Sequence, residues 1–354
     1  MLANKDVKFV CSNVREPYLL EKISLQDILT VNNNPTAGDL IIVKVLDDSK
    51  GYSTAENSYG RPVQLYKGDI FIGVLGFRRS GTNNVGIVPE ACLQQGDEIQ
   101  LLSQGGIIGH IICPDNNQRN GSALSLSVIG FVKNNKGDIL NIQELKQIPS
   151  NTDKPLNPKN KPVYFIFGTS AEAGKTSLCV NMIRHLKEDF NQVFCSKAGG
   201  TGRYKDTLAF IDAGAISKDF VDLGYGTTYS MEKREYQQAL TDLYNYAIES
   251  SDVAVFEIGG DLIESYAVYA LEFAQMLGVN VMLVVNDAMG AMTGMEITNY
   301  KENKEKIAIA TFKQNPFALA QRLNIPTVIN TASGEDIEMY LKTTLTKKIE
   351  KDLV

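Results

Sequence analysis

The chain has 354 residues, 44% hydrophobic and 21% charged, with a formal net charge of −6, the profile of an ordinary globular protein long enough for about two domains. It has no run of about 18 apolar residues, which argues against a membrane-spanning helix. Its basic residues form none of the concentrated clusters that a nucleic-acid backbone requires, so neither membrane nor nucleic acid is an expected partner.

The N-terminal stretch "MLANKDVKFVCSNVREP" alternates charged and apolar residues. It lacks the apolar core of a signal peptide, and a cytoplasmic location is expected. Cys11, Cys92, Cys113, Cys179 and Cys195 show no CxxC spacing, and read as buried free thiols rather than disulfides or zinc ligands. With only His110 and His185 present, a multi-histidine metal site is excluded. Neither histidine stands in a catalytic context.

Four Gly-Asp pairs each lead into an apolar or alternating run: "GDLIIVKV" at 38, "GDIFIGVLG" at 68, "GDEIQLLS" at 96 and "GDILNI" at 137. Glycine supplies the positive φ of a tight turn and aspartate bonds nearby backbone, so each pair predicts a turn followed by a strand. "GIIGHIIC" and "ALSLSVIGFV" add two more strands, while helical periodicity is confined to residues 17–30. Residues 1–148 are therefore expected to form a small all-β barrel or sandwich. Arg78 and Arg79, in "FRRSGTNN" (77–84), read as part of a solvated loop rather than an anion site. Residues 149–162, "PSNTDKPLNPKNKP", hold four prolines and almost nothing apolar, the composition of a linker.

From 163 onward strands and helices alternate. "VYFIF" is continuously apolar, as a strand buried on both faces requires, and "KTSLCVNMIRHLKEDF" places Leu178, Met182, Ile183 and Leu186 on one helical stripe. "QVFCS", a helix near 232–250, "VAVFEI", a helix near 262–277, "VNVMLVVN", "PTVIN" and a C-terminal helix follow. This pattern predicts an α/β domain over 163–354, a parallel sheet with helices on both faces.

Between the first of these strands and its helix lies "GTSAEAGKTS" (168–177). Glycines there let successive N–H groups point inward, and the helix N-terminus adds partial positive charge, which together make a phosphate nest of the P-loop type. Gly168, Thr169, Glu172, Ala173, Gly174, Lys175, Thr176 and Ser177 form the expected nucleotide-binding set. Lys175 is expected to reach the β- and γ-phosphates and Thr176 to offer its hydroxyl to Mg²⁺.

Five residues separate Gly168 from Gly174, one more than in the common P-loop spelling. In this the loop resembles that of dethiobiotin synthetase, G-T-D-T-E-V-G-K-T, matching it at Gly168, Thr169, Glu172, Gly174, Lys175 and Thr176. The resemblance, to that family and to the MinD-like branch of P-loop proteins, continues at "CSKAGGTG". There Lys197 stands where the family has Lys-Pro-x-x-Ser-Gly, with Ala198 and Thr201 replacing Pro and Ser. At "AVFEIGGD", Glu257 stands where the family has a metal-binding Glu before two glycines. Residues 199–229 also resemble a P-loop family of unknown function, one branch of which is associated with D-amino-acid N-acetylation. Together the resemblances span about residues 163–330 and imply ATP with Mg²⁺, and γ-phosphoryl transfer to a small acidic substrate. Lys175 and Lys197 would be catalytic and Thr176 and Glu257 metal ligands, in a homodimer. Asp212, in "FIDAG", reads either as a second metal-proximal carboxylate or as a turn residue, and Thr201 either as a substrate contact or as a turn residue. No Asn-Lys-x-Asp guanine-reading sequence occurs, which favours ATP over GTP. Two other functions fit the loop: a MinD-like regulatory ATPase, although the signature lysine of that branch is missing from Gly168-Thr169-Ser170, and an acyltransferase that holds acetyl-coenzyme A by its phosphates.

Overall fold

The computed structural model describes residues 7–8, 11–15, 23, 27–48, 53–79, 84–114, 123–150, 154–158 and 161–352, with side chains as far as 345. The chain divides into two compact units: one of residues 1–149, 201–205 and 220–230, the other of residues 150–200, 206–219 and 231–354.

In the first unit, strands β1 (Leu40–Val45), β2 (Ile70–Leu75), β3 (Glu98–Ser103), β4 (Ile107–Cys113) and β5 (Ser125–Val132) pair in the order β1-β2-β4-β3-β5. β5 returns to β1, and all these pairings are antiparallel except β2 with β4. The result is a closed barrel, which removes the free edges an open sheet would present. Residues alternate between two cores along β1: Ile41, Val43 and Val45 face one, Leu40 and Ile42 the other. That period of two is the strand's own geometry.

The Gly-Asp turns form as the sequence predicts. Gly38, Gly68, Gly96 and Gly137 all have φ between 88 and 97°. Asp39, Asp69 and Asp97 each accept from the backbone N–H three residues earlier, at 2.9, 2.7 and 2.9 Å. The fourth pair departs from expectation. "GDILNI" makes only isolated bridges, Lys133 with Ile139 and Asp39 with Asn141, because Asn141 caps a short 3₁₀ turn at Ile142–Leu145 that ends the run. The helix expected over 17–30 falls largely outside the described residues, and Ile28–Leu29 pairs with β5 as a strand. Arg78 donates to the carbonyl of Leu102, while Arg79 is exposed and residues 80–83 lie outside the described set.

Two short segments from beyond the proline-rich stretch complete this unit. Glu56, 1% exposed, accepts from Ser12 Oγ (2.9 Å), from Arg203 Nε and Nη2 (3.1 and 3.0 Å) and from the Tyr204 N–H (2.8 Å). Arg15 pairs with Asp222 at 2.6 Å and stacks over Tyr204, 4.3 Å from the ring centroid. A carboxylate removed from water survives only with such partners.

In the second unit, six parallel strands run in the order β7-β8-β6-β9-β10-β11: β6 (Val163–Gly168), β7 (Val193–Gly199), β8 (Val253–Ile258), β9 (Asn280–Val285), β10 (Ile307–Thr311) and β11 (Ile329–Asn330). Helices α1 (Lys175–Asp189), α2 (Tyr204–Asp212), α3 (Lys233–Ser250), α4 (Ser265–Leu277), α5 (Ala288–Ile297), α6 (Pro316–Leu323) and α7 (Gly334–Asp352) connect and cover them. β6 is buried throughout. Tyr164 and Ile166 join the core that α1 and α7 close, and Phe165 stacks on Phe256 at 4.9 Å. α2 has no counterpart among the sequence expectations. Its nine residues lie in the mixed Gly-rich segment, too short for a clear helical period.

The described part of the proline-rich stretch is held along α3 by polar contacts. Ser150 Oγ donates to Asp242 (2.7 Å), the Leu156 N–H to Asn245 (2.7 Å), and Lys161 to the carbonyls of Ile248 and Ser251 (both 2.7 Å). Residues 151–153 and 159–160 lie outside the described residues. Among the described residues, no helix is long and apolar enough to cross a membrane.

Candidate functional site

All the predicted site residues of the second unit except Asp212 gather at the carboxyl ends of its strands, where open parallel sheets bind ligands. β6 ends at Gly168, and six residues later Gly174, at φ 99°, caps α1. Glu172 is also left-handed, at φ 61°, a conformation unusual for a residue other than glycine. These reversals turn the loop's amides inward. The N-cap is a glycine and supplies no side-chain cap, which leaves the first turn of the helix suited to an anion. The loop is anchored from the β9 side, where the Thr169 N–H donates to Val284 O (3.0 Å), the Asn286 N–H reaches Thr169 Oγ1 (3.3 Å), and Asn286 Nδ2 donates to Ser170 Oγ.

Lys175 is 5% exposed, and its ammonium donates to the carbonyls of Ser170 (2.9 Å) and Gly260 (2.7 Å). Burial holds its pKa down and Lys197 pushes the same way, against Glu257 and Asp261. The amine folds over Gly168, where a β-carbon would lie 2.8 Å from Nζ. Glycine at 168 therefore makes room for the lysine itself.

β7 and β8 run in register with Lys197 opposite Glu257. Thr176 Oγ1 donates to Glu257 Oε1 at 2.9 Å, whereas Glu257 Oε2 is buried without a hydrogen-bond partner. Burial raises the Glu257 pKa and the Asp206 carboxylate adds to the rise, opposed by Lys197, Lys175 and the Thr176 hydroxyl. A buried acid with an orphaned oxygen beside a P-loop threonine fits a divalent cation, which would satisfy both its charge and its lone pairs. Among the described residues no three His, Cys, Asp or Glu side chains cluster as a metal site. A cation held here would need further oxygens from a bound ligand or water.

Lys197 is ion-paired to Asp206, both side chains being mostly buried. Asp206 was missed in the sequence, and Asp212 is not at the site. Asp212 is the exposed last residue of α2, six positions or about 9 Å along the helix from Asp206. The available signal was amphipathicity. Asp206 and Phe210 share the buried face of α2 at i, i+4, and an acid on a buried face needs a cation. Thr201 belongs to the first unit, bridging Thr227. Ala173 is buried, Ser177 is exposed, His110 is an exposed barrel residue, and His185 lies about 15 Å along α1 from Lys175. Cys11, Cys179 and Cys195 are buried as the sequence predicts, whereas Cys92 and Cys113 are exposed; burial pushes the Cys179 and Cys195 thiols up and leaves them inert.

Two tyrosines on α3 and α4 hold the strand ends. Tyr236 Oη donates to Ala198 O (2.9 Å) and Tyr266 Oη to Gly259 O (3.1 Å). The Gly259 N–H donates to Gly199 O at 3.1 Å, and a β-carbon on Gly259 would sit 2.4 Å from that same oxygen. Gly259→Ala is expected to cost about 1–3 kcal/mol by forcing β7 and β8 apart. An unchanged urea unfolding midpoint would show that no such constraint exists.

No family model matches the sequence, and no curated protein does. Solved structures similar to the chain include a ParA family ATPase from Chlorobium tepidum TLS (11% identity, 53% of this chain and 97% of that one, TM-score 0.32). They also include the hydrogenase maturation factor HypB from Archaeoglobus fulgidus (17% identity, 53% and 95%, TM-score 0.33) and the cell division protein FtsY from Thermotoga maritima (16% identity, 58% and 74%, TM-score 0.33).

Proposed function

We propose that the second unit binds ATP with Mg²⁺ and transfers the γ-phosphoryl group to a carboxylate or carbamate of a small acidic substrate. The observation that carries this reading is the convergence of Lys175, Lys197, Thr176 and the half-unsatisfied Glu257 on one strand edge beside the uncapped start of α1. The loop amides and Lys175 bind and orient the triphosphate. Thr176 and Glu257 would hold Mg²⁺, which supplies charge neutralisation at the phosphates when bound. The substrate oxygen attacks the γ-phosphorus, the bond from that phosphorus to the bridging oxygen breaks, and ADP leaves with that electron pair. The product is an acyl phosphate, from which a later nucleophile displaces phosphate. Lys197, near the end of β7, would neutralise the oxygens of the group in flight, the main service a protein gives to phosphoryl transfer.

Phosphate or ADP release by the full chain with Mg-ATP should rise on addition of a pool of small amino- and dicarboxylic acids. Thermal stabilisation by acetyl-coenzyme A, with none from ATP, would overturn the proposal. Turnover that responds to a protein partner and to no metabolite would do the same.

A further inference from the structure

Beside the loop the strand edge carries exposed apolar side chains that phosphate chemistry does not use. Phe312, the first residue after β10, is 57% exposed and packs on the loop's last glycine, where a β-carbon on Gly174 would lie 3.3 Å from Phe312 Cβ. On the loop's other flank a β-carbon on Gly290 would lie 3.3 Å from Thr169 Cβ, and the adjacent Met289 is 73% exposed. Leaving a phenyl ring in water at the rim of a polar nest forgoes its burial, which points to a flat apolar ligand.

The polar side chains of this edge are mostly spent on backbone. Thr311 Oγ1 donates to Val285 O (2.9 Å), and Asp287 Oδ1 accepts from the Gly290 N–H (2.8 Å). Asn315 Oδ1 accepts from the Ala318 N–H (3.0 Å) and Asn330 Oδ1 from the Ala332 N–H (3.0 Å). No carboxylate occurs in 311–317, "TFKQNPF", to accept the two N–H groups on the pairing edge of guanine.

We propose that Phe312 stacks on the base of the nucleotide whose phosphates the loop holds. The base is then read by its face instead of its edge, and adenine and guanine nucleotides bind alike. The inference rests on the nucleotide-binding reading above. Stacking tolerates base identity because every base presents a π-face.

The chain contains no tryptophan, so Phe312→Trp places a single fluorescent reporter at this position. Mg-ATP and Mg-GTP should each change its emission, whereas tripolyphosphate, which has no base, should compete with ATP and leave the emission unchanged. Phe312→Ala should weaken ATP and GTP about tenfold each while leaving tripolyphosphate affinity as it was. If ATP binds in a Lys175-dependent way but leaves the tryptophan emission unchanged, stacking is refuted and the nucleotide reading stands. An equal loss of tripolyphosphate and ATP in Phe312→Ala would also refute stacking, since the ring would then only shape the loop. Failure of the unaltered protein to bind ATP, GTP or tripolyphosphate would overturn the nucleotide reading itself.

Discussion

Lys175→Ala is expected to abolish nucleotide binding at millimolar concentration and all turnover with it. The ammonium is the one cation seated within the loop, and it donates to Ser170 O and Gly260 O. A triphosphate would take over those donations as charge-assisted bonds worth about 1.5–3 kcal/mol each, so losing two weakens binding on the order of 10²-fold or more. Titration calorimetry with Mg-ATP tests this directly, with circular dichroism confirming that α1 persists. Retained ATP affinity in a folded Lys175→Ala protein would remove the phosphate site altogether.

Lys197→Ala should behave differently. Lys197 stands at the end of β7, opposite Glu257, and is held by Asp206 outside the loop itself. Ground-state binding of ATP should therefore stay within about threefold, because the loop and Lys175 still grip the phosphates. The rate should fall by about 10²–10³, the usual effect of deleting one preorganised group that stabilises transition-state charge. Single-turnover measurement of γ-phosphate transfer separates the two quantities. A Lys197→Ala enzyme with unaltered kcat would leave Lys197 as no more than a structural partner of Asp206.

Lys175 was legible as part of the glycine-rich phosphate motif, and Lys197 because it follows the apolar run "QVFCS" and so emerges toward the sheet's carboxyl edge. The same logic found Glu257 at the end of "VAVFEI". It failed for Asp206, which is delivered by the short helix α2 and not by a strand. There the Gly-rich flanks hide a period that only two turns could display. The barrel was legible through its Gly-Asp turns, whose aspartates close on the N–H three residues back. Its closure was not, because the parallel pairing of β2 with β4 joins segments more than thirty residues apart and leaves no local trace. Phe312 escaped notice for a related reason. Exposure of an apolar residue is a property of the fold around it, and "TFKQNP" alone reads as an ordinary turn.

Glu56, buried in the first unit, takes three of its hydrogen bonds from Arg203 and Tyr204, and Arg15 takes its partner from Asp222. The first unit is therefore not finished when the ribosome passes Pro149, although all five barrel strands precede that point. It waits for about eighty more residues, which at about 5–20 residues per second is a delay of roughly 4–16 s. During that interval Glu56 lacks those partners, although its unit comes first in the chain. Severing the polypeptide at the proline-rich stretch would release a fragment missing its own final pieces, so any transplantation of the barrel must carry the strand-to-strand insert of its neighbour along with it.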